Sequence, residues 1–186
     1  IVAVTKTFGP SAVDAAVAAG LDDVGENYAQ EAAAKLTEIT TTPTVHFIGR
    51  LQRNNVRLLA PHVDVWQTVD RPELATEIAK RAPGAKVMIQ VDISGEENKG
   101  GCGPDTTEDL VMHATDAGLE VIGLMGVALL AEPQAARPGF SVLRRLVDRL
   151  DLDECSMGMS ADLEIAVDEG ATMVRIGRDL FGERLG

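Results

Sequence analysis

The feature that most constrains this chain is an alternation that runs through its whole length. Short apolar runs take turns with stretches of helical composition. Ile1-Val2-Ala3-Val4-Thr5 opens the chain as a strand, and the Ala-rich stretch from Ser11 to Ala19 follows Pro10 as a helix that Gly20 stops. Further strands are expected at Leu21 to Gly25, Val45 to Gly49, Val63 to Val69, Lys86 to Ile93, Leu119 to Met125, Cys155 to Met157 and Thr172 to Ile176. Between them the composition predicts helices over Ala29 to Ile39, Leu51 to Ala60, Pro72 to Arg81, Thr106 to Ala117, Ala135 to Leu150 and Ala161 to Asp168. Eight strands thus alternate with seven helices. Near-continuous apolar runs such as Lys86 to Ile93 suit strands buried in a parallel sheet. The count and order predict an α/β fold, a (β/α)8 TIM barrel forming a single domain over residues 1–186. The chain is shorter than the ~250 residues usual for that fold. It begins inside a strand, so a further helix before Ile1 is expected in the natural protein.

The bulk properties narrow the partners. A net charge of −12 argues against nucleic acid and anionic membrane, which both reward clustered Lys and Arg. No apolar run reaches the length of a membrane span and no signal peptide is visible. Cys102 and Cys155 are isolated, which suggests free thiols in a reducing, cytoplasmic setting. The three histidines lack metal-ligand spacing, and His62 and His113 read as surface residues.

Chemistry concentrates at three strand ends. Lys6 leaves the first strand just before Thr7-Phe8-Gly9-Pro10. Barrel active sites sit at the carboxyl ends of the strands. A lysine there is partly desolvated, which favours the neutral amine that attack on an aldehyde needs. The second feature is Ser156-Met157-Gly158-Met159-Ser160 after strand seven, with Ser160 placed to cap the next helix. The third is Val174-Arg175-Ile176-Gly177-Arg178 at strand eight. Loops after strands seven and eight often hold phosphate, and Gly177 would let backbone N–H groups approach one. Strand eight should close against strand one, which brings Arg175 near Lys6. A lysine amine, a phosphate cradle and an arginine form a set that suits pyridoxal 5′-phosphate (PLP). The Gly-rich stretch Ser94 to Gly103 reads as a loop at the same mouth, with Lys99 able to approach a ligand.

At this point the sequence resembles a known family. Ala3-Val4-Thr5-Lys6, Gly25-Glu26-Asn27-Tyr28 and His46-Phe47-Ile48-Gly49 with Leu51-Gln52 and Asn54 carry the first part of the resemblance. Gly123-Leu124-Met125, Ser156 to Ser160 with Asp162 and Glu164, and Val174 to Gly177 with Phe181-Gly182 carry the rest. Together they resemble the YggS/PROSC-type pyridoxal phosphate homeostasis protein family, whose fold is similar to the N-terminal barrel of alanine racemase. The resemblance implies that Lys6 forms a Schiff base with PLP. It implies that Ser160, with Met159 beside it, and the backbone of Ile176 and Gly177 hold the phosphate, and that Arg175 faces the pyridine nitrogen. Asn27 and His46 are pocket-lining positions on the same basis. Arg178 stands where a small hydroxyl residue is usual, so that phosphate contact is lost or becomes charge-assisted. Asn55 stands where a lysine is common.

An arginine opposite the ring cannot accept a proton from a pyridinium, so the ring nitrogen stays unprotonated and the cofactor is a weaker electron sink. That favours racemisation or no chemistry over decarboxylation or transamination. Racemisation needs a second acid/base on the opposite face, and Tyr28, the one tyrosine, begins a helix after strand two. The first expectation is therefore a monomeric PLP carrier that serves vitamin B6 homeostasis, without established catalysis and with PLP-dependent apo-enzymes as acceptors. Two alternatives stay open. One is a racemase-type PLP enzyme acting on amino acids. The other is a PLP-free barrel in which Lys6 forms a Schiff base with a sugar phosphate.

Overall fold

The computed structural model describes residues 1–95, 100–128 and 133–182. The elements are β1 (Val2–Val4), α1 (Pro10–Ala18), β2 (Asp23–Glu26), α2 (Ala29–Lys35), β3 (Thr44–Phe47), α3 (Arg53–Leu59), β4 (Val65–Val69) and α4 (Pro72–Arg81). They continue as β5 (Lys86–Val91), α5 (Thr107–Asp116), β6 (Glu120–Gly126), α6 (Arg137–Arg149), β7 (Glu154–Ser156), α7 (Leu163–Asp168), β8 (Arg175–Ile176) and α8 (Arg178–Phe181). A turn of 3-10 helix, Pro133–Ala136, leads into α6.

All neighbouring strands pair in parallel, in the order β7-β6-β5-β4-β3-β2-β1-β8. The remaining seam is bridged. Ser156 pairs with Met173 just before β8, and the Met157 N–H donates to the Met173 carbonyl at 3.0 Å. The chain is thus a nearly closed (β/α)8 barrel, as the alternation predicts.

Several boundaries differ from the sequence reading. β1 ends at Val4, so Lys6 stands on the loop two residues beyond the strand. α2 stops at Lys35 rather than Ile39. There the chain is drawn away by Asp14, whose carboxylate accepts bonds from the Thr41 and Thr40 hydroxyls at 2.7 and 2.9 Å. An eighth helix, α8, follows β8 directly, where the sequence reading placed none.

The main core lies between the sheet and the helices. α4 contributes Leu74, Ala75 and Ile78, and α6 contributes Phe140, Leu143 and Val147, at helical spacing and fully buried. Inside the barrel the filling is different. A small apolar cluster of Val65, Met88 and Met125 shares the lumen with the buried polar residues His46, Gln67, Ser156 and Arg175.

A buried charge cluster anchors the loop that carries Lys6. The Lys35 ammonium donates to the Thr5 carbonyl, to Glu26 Oε1 and to Glu31 Oε1, each at 2.8 Å. The Thr5 hydroxyl donates to the same Glu26 oxygen at 2.6 Å, and the Thr7 N–H donates to Glu31 at 2.6 Å. Lys35 and Glu26 side chains are 3% and 0% exposed, so the ammonium is one whose loss would strand a buried carboxylate. The cluster grips both sides of Lys6 and holds Thr7 at a φ of 69°, a conformation that a threonine rarely adopts without such support.

Two stability predictions follow from these contacts. Phe140→Ala should lower the unfolding free energy by about 3–5 kcal/mol in urea titrations, whereas Leu58→Ala, at a site 40% exposed, should change it little. Lys35→Met should lose about 3–5 kcal/mol at neutral pH by leaving Glu26 unpaired. Burial already raises the Glu26 carboxyl, and Lys35 and Thr5 pull it back down. Without Lys35 the folded-state pKa rises further, so folding favours the protonated acid. The deficit should therefore shrink as pH falls towards the unfolded carboxyl value of 4.5, which unfolding at pH 7 and pH 5 would reveal.

Candidate functional site

An open cavity of ≈ 730 Å³ lies over the carboxyl ends of the strands. Val4 and the loop residues Lys6 and Phe8 come from β1, Asn27 from the end of β2, and Ile48 from the end of β3. Val127 follows β6, and Met159, Ser160 and Ala161 follow β7. Arg175, Gly177, Arg178 and Gly182 line the side formed by β8 and α8.

Seven residues proposed from sequence are brought together on this wall: Lys6, Asn27, Met159, Ser160, Arg175, Gly177 and Arg178. Two are not. Ile176 is buried in β8, in register with Ala3, and its side chain is not on the lining; the part expected of it concerns its backbone alone. His46 does not line the cavity either. It is 2% exposed inside the barrel, with Nε2 3.0 Å from Asp23 Oδ1 and Nδ1 2.8 Å from the Gln67 amide. Tyr28 and Asn55 also lie off the lining, and Tyr28 is 51% exposed. Lys99 and its neighbours lie outside the described residues.

The charge of the lining is one-sided. Lys6, Arg175 and Arg178 face the cavity, and none of its described lining residues is a carboxylate. This is a cationic recess on a chain of net charge −12, and field lines from an anionic ligand would focus there. Arg175 is the buried member. Its Nη1 donates to Ser156 Oγ at 2.7 Å and its Nη2 to the Gly126 carbonyl at 2.8 Å. Desolvation pulls its pKa down to about 10, which still leaves it charged at neutral pH. Two of its five N–H donors are fixed by these bonds, and the planar group has further donors for a ligand.

Local backbone chemistry explains why these side chains converge. Gly158 sits at φ 93°, and a Cβ there would lie 2.4 Å from that of Ala166. Only glycine makes the turn that aims Met159 and Ser160 at the cavity. At Gly49 a Cβ would fall 1.9 Å from the Asn27 carbonyl, so this glycine lets the β2 and β3 loops touch and sets Asn27 in place. The Asn27 Oδ1 is buried with no hydrogen-bond partner among the described residues. Phe8 packs against Phe181 with ring centroids 5.4 Å apart and the planes tilted by 40°, which ties the Lys6 loop to α8.

Ser160 departs from its expected capping role. α7 begins at Leu163 with Asp162 at the cap position, and Asp162 Oδ1 accepts the Met159 N–H at 2.6 Å. With Asp162 closing the turn, the Ser160 hydroxyl is left on the cavity wall. The sequence reading did not single out Lys35, Glu31 or Gln67. A lysine four residues after a glutamate on an otherwise Ala-rich helix was a signal for Lys35 and Glu31, and a lone glutamine in a buried strand was one for Gln67. Among the described residues no group of three or more His, Cys, Asp or Glu could hold a metal ion, and no helix is long and apolar enough to cross a membrane.

Comparison with known proteins places the chain in a family. The family described as the alanine racemase N-terminal domain matches residues 1–185. A pyridoxal phosphate homeostasis protein of Pseudomonas aeruginosa is 42% identical, over 99% of this chain and 84% of its own length. One of Aquifex aeolicus is 40% identical, over 97% and 85%. PipY of Synechococcus elongatus, solved without PLP, superposes with a TM-score of 0.90 at 34% identity, covering 97% of this chain and 91% of PipY. PipY with PLP bound gives 0.85 at 32% identity over the same shares. By the match along nearly its whole length, and by the identity of these relatives, the chain belongs to the alanine racemase N-terminal domain family and, within it, to the pyridoxal phosphate homeostasis proteins.

Proposed function

We propose that the cavity binds pyridoxal 5′-phosphate with its aldehyde on Lys6, and that the protein holds the cofactor in reserve and passes it on. The observation that carries this reading is the cationic wall, with Lys6, Arg175 and Arg178 around one recess and no carboxylate among its described lining residues. The relatives named for PLP homeostasis and the PLP-bound PipY support the same ligand.

The residues present fit that cofactor. The half-buried Lys6 supplies the amine. When bound, the cofactor supplies an aldehyde that a neutral amine captures reversibly: a C=N bond forms and water leaves. Ser160, Gly177 and Arg178 offer a hydroxyl, an uncrowded backbone and a guanidinium for the phosphate. The buried Arg175 offers charged N–H donors to the ring nitrogen and keeps it unprotonated. The unpartnered Asn27 Oδ1 is a polar atom that a ligand hydroxyl would satisfy.

Reversible capture without a strong electron sink suits storage and delivery. The acceptors are PLP-dependent apo-enzymes inside the cell, and the protein works as a monomer. Tyr28 is off the cavity wall, so it is not placed as the opposite-face acid/base that a racemase would need.

Titration with PLP should produce a visible absorbance band in the wild type. Lys6→Ala should abolish that band while leaving the fold intact by circular dichroism, and an unchanged band would contradict the reading. Arg178→Glu should weaken PLP binding about tenfold by reversing a phosphate contact, with no effect on pyridoxal, which lacks the phosphate. An equal loss for both compounds would remove Arg178 from the phosphate site.

A further inference from the structure

Behind Arg175, the barrel lumen holds a row of polar side chains that the cavity does not use. Arg175 Nη1 donates to Ser156 Oγ at 2.7 Å, and the Ser156 hydroxyl donates to Gln67 Oε1 at 2.7 Å. The Gln67 amide nitrogen lies 2.8 Å from His46 Nδ1, and His46 Nε2 lies 3.0 Å from Asp23 Oδ1. The row crosses the barrel from β8 and β7 through β4 and β3 to the first residue of β2. Its four inner members are 4%, 0%, 0% and 2% exposed, while the Asp23 side chain is 44% exposed.

The hydrogen bonds all have one sense. A guanidinium can only donate, so Ser156 Oγ must accept from Arg175 and spend its own proton on Gln67 Oε1. That fixes the amide, whose NH₂ then faces His46. His46 must accept at Nδ1 and carry its proton on Nε2, directed at the Asp23 carboxylate. Reversing the Gln67 amide would leave the Ser156 proton without an acceptor, and the Nδ1–H tautomer needed to meet the amide oxygen would turn the Nε2 lone pair on the Asp23 carboxylate. The charged side chains acting on His46 are the Asp23 and Asp64 carboxylates, which favour its protonation. Burial outweighs the carboxylates and keeps the ring neutral, as the chain requires.

We propose that Ser156, Gln67 and His46 are positioning residues for Arg175, forming a one-way hydrogen-bond chain anchored on Asp23 that orients the guanidinium towards the cofactor ring. The inference rests on the reading of Arg175 as the partner of the ring nitrogen. It adds a determinant, Gln67, that touches no part of the cavity. Without the chain Arg175 keeps its charge and its bond to the Gly126 carbonyl, but one of its two fixed N–H groups is released and the plane of the guanidinium is no longer set.

The test compares PLP with its 1-deaza analogue, in which the ring nitrogen is a C–H group. Ser156→Ala and Gln67→Leu should each weaken PLP binding about tenfold and leave the affinity for the analogue unchanged. Ser156→Thr, which keeps the hydroxyl, should restore the preference for PLP. Equal weakening of both compounds, or no weakening of PLP, would overturn the positioning role, because a merely structural defect does not distinguish the two rings. Failure of the wild type to bind either compound would instead overturn the cofactor reading. The chain has its own readout in the cofactor-free wild type. Its His46 ¹⁵N shifts at pH 7 should report a neutral ring protonated on Nε2, and a proton on Nδ1 would overturn the one-way sense.

Discussion

The pairing of β8 with β1 is the contact on which the site depends. Val2 lies opposite Arg175 and Ala3 opposite Ile176, so two segments more than 170 residues apart become neighbours. The loop leaving β1 carries Lys6, and the turn leaving β8 carries Gly177 and Arg178. Parallel pairing points both segments the same way, so both deliver their side chains to the carboxyl end of the barrel. Phe8 against Phe181 repeats the connection one layer further out. Without this closure Lys6 would be a lysine beyond a strand end, and Arg175 would be a buried charge with nothing to serve.

Holding cations in a recess requires that they be kept apart and oriented, and the structure does this from behind. Beneath Lys6, the ammonium of Lys35 binds the Thr5 carbonyl and two carboxylates, while Glu31 receives the Thr7 N–H. Beneath Arg175, Ser156 and the Gly126 carbonyl take two N–H groups. In each case a buried charge is compensated by hydrogen bonds away from the cavity, which leaves the lining itself free of carboxylates among the described residues. The acidic surface and the cationic recess therefore coexist on one small barrel, and the recess is the place where an anion gains most.

Much of this was legible in the order of residues. The strand–helix alternation predicts the barrel because periodicity is a local property that the chain cannot hide. Lys6, Ser160, Gly177 and Arg178 were legible because each lies at a strand end beside turn-forming residues. His46 was expected on the lining from the family resemblance alone, and nothing in the order of residues along β3 reveals whether an inward side chain points up to the mouth or across the lumen. Its actual partners, Asp23 and Gln67, lie 23 and 21 residues away. Ser156 and Gln67, 89 residues apart, meet only because β4 and β7 face each other across the nearly closed barrel. Ser160 does not cap α7, since the helix starts later than its composition suggests and Asp162 holds the cap position, with its carboxylate turned back to the Met159 N–H.

The central claim is that Lys6 is the covalent anchor for pyridoxal phosphate. Borohydride reduction of the PLP-loaded protein, followed by peptide mass mapping, tests it most directly. The account predicts one phosphopyridoxyl group, on the peptide containing Lys6. An adduct spread over Lys80, Lys86 and other surface lysines, or no adduct, would contradict it and leave the cationic recess to a ligand of different chemistry.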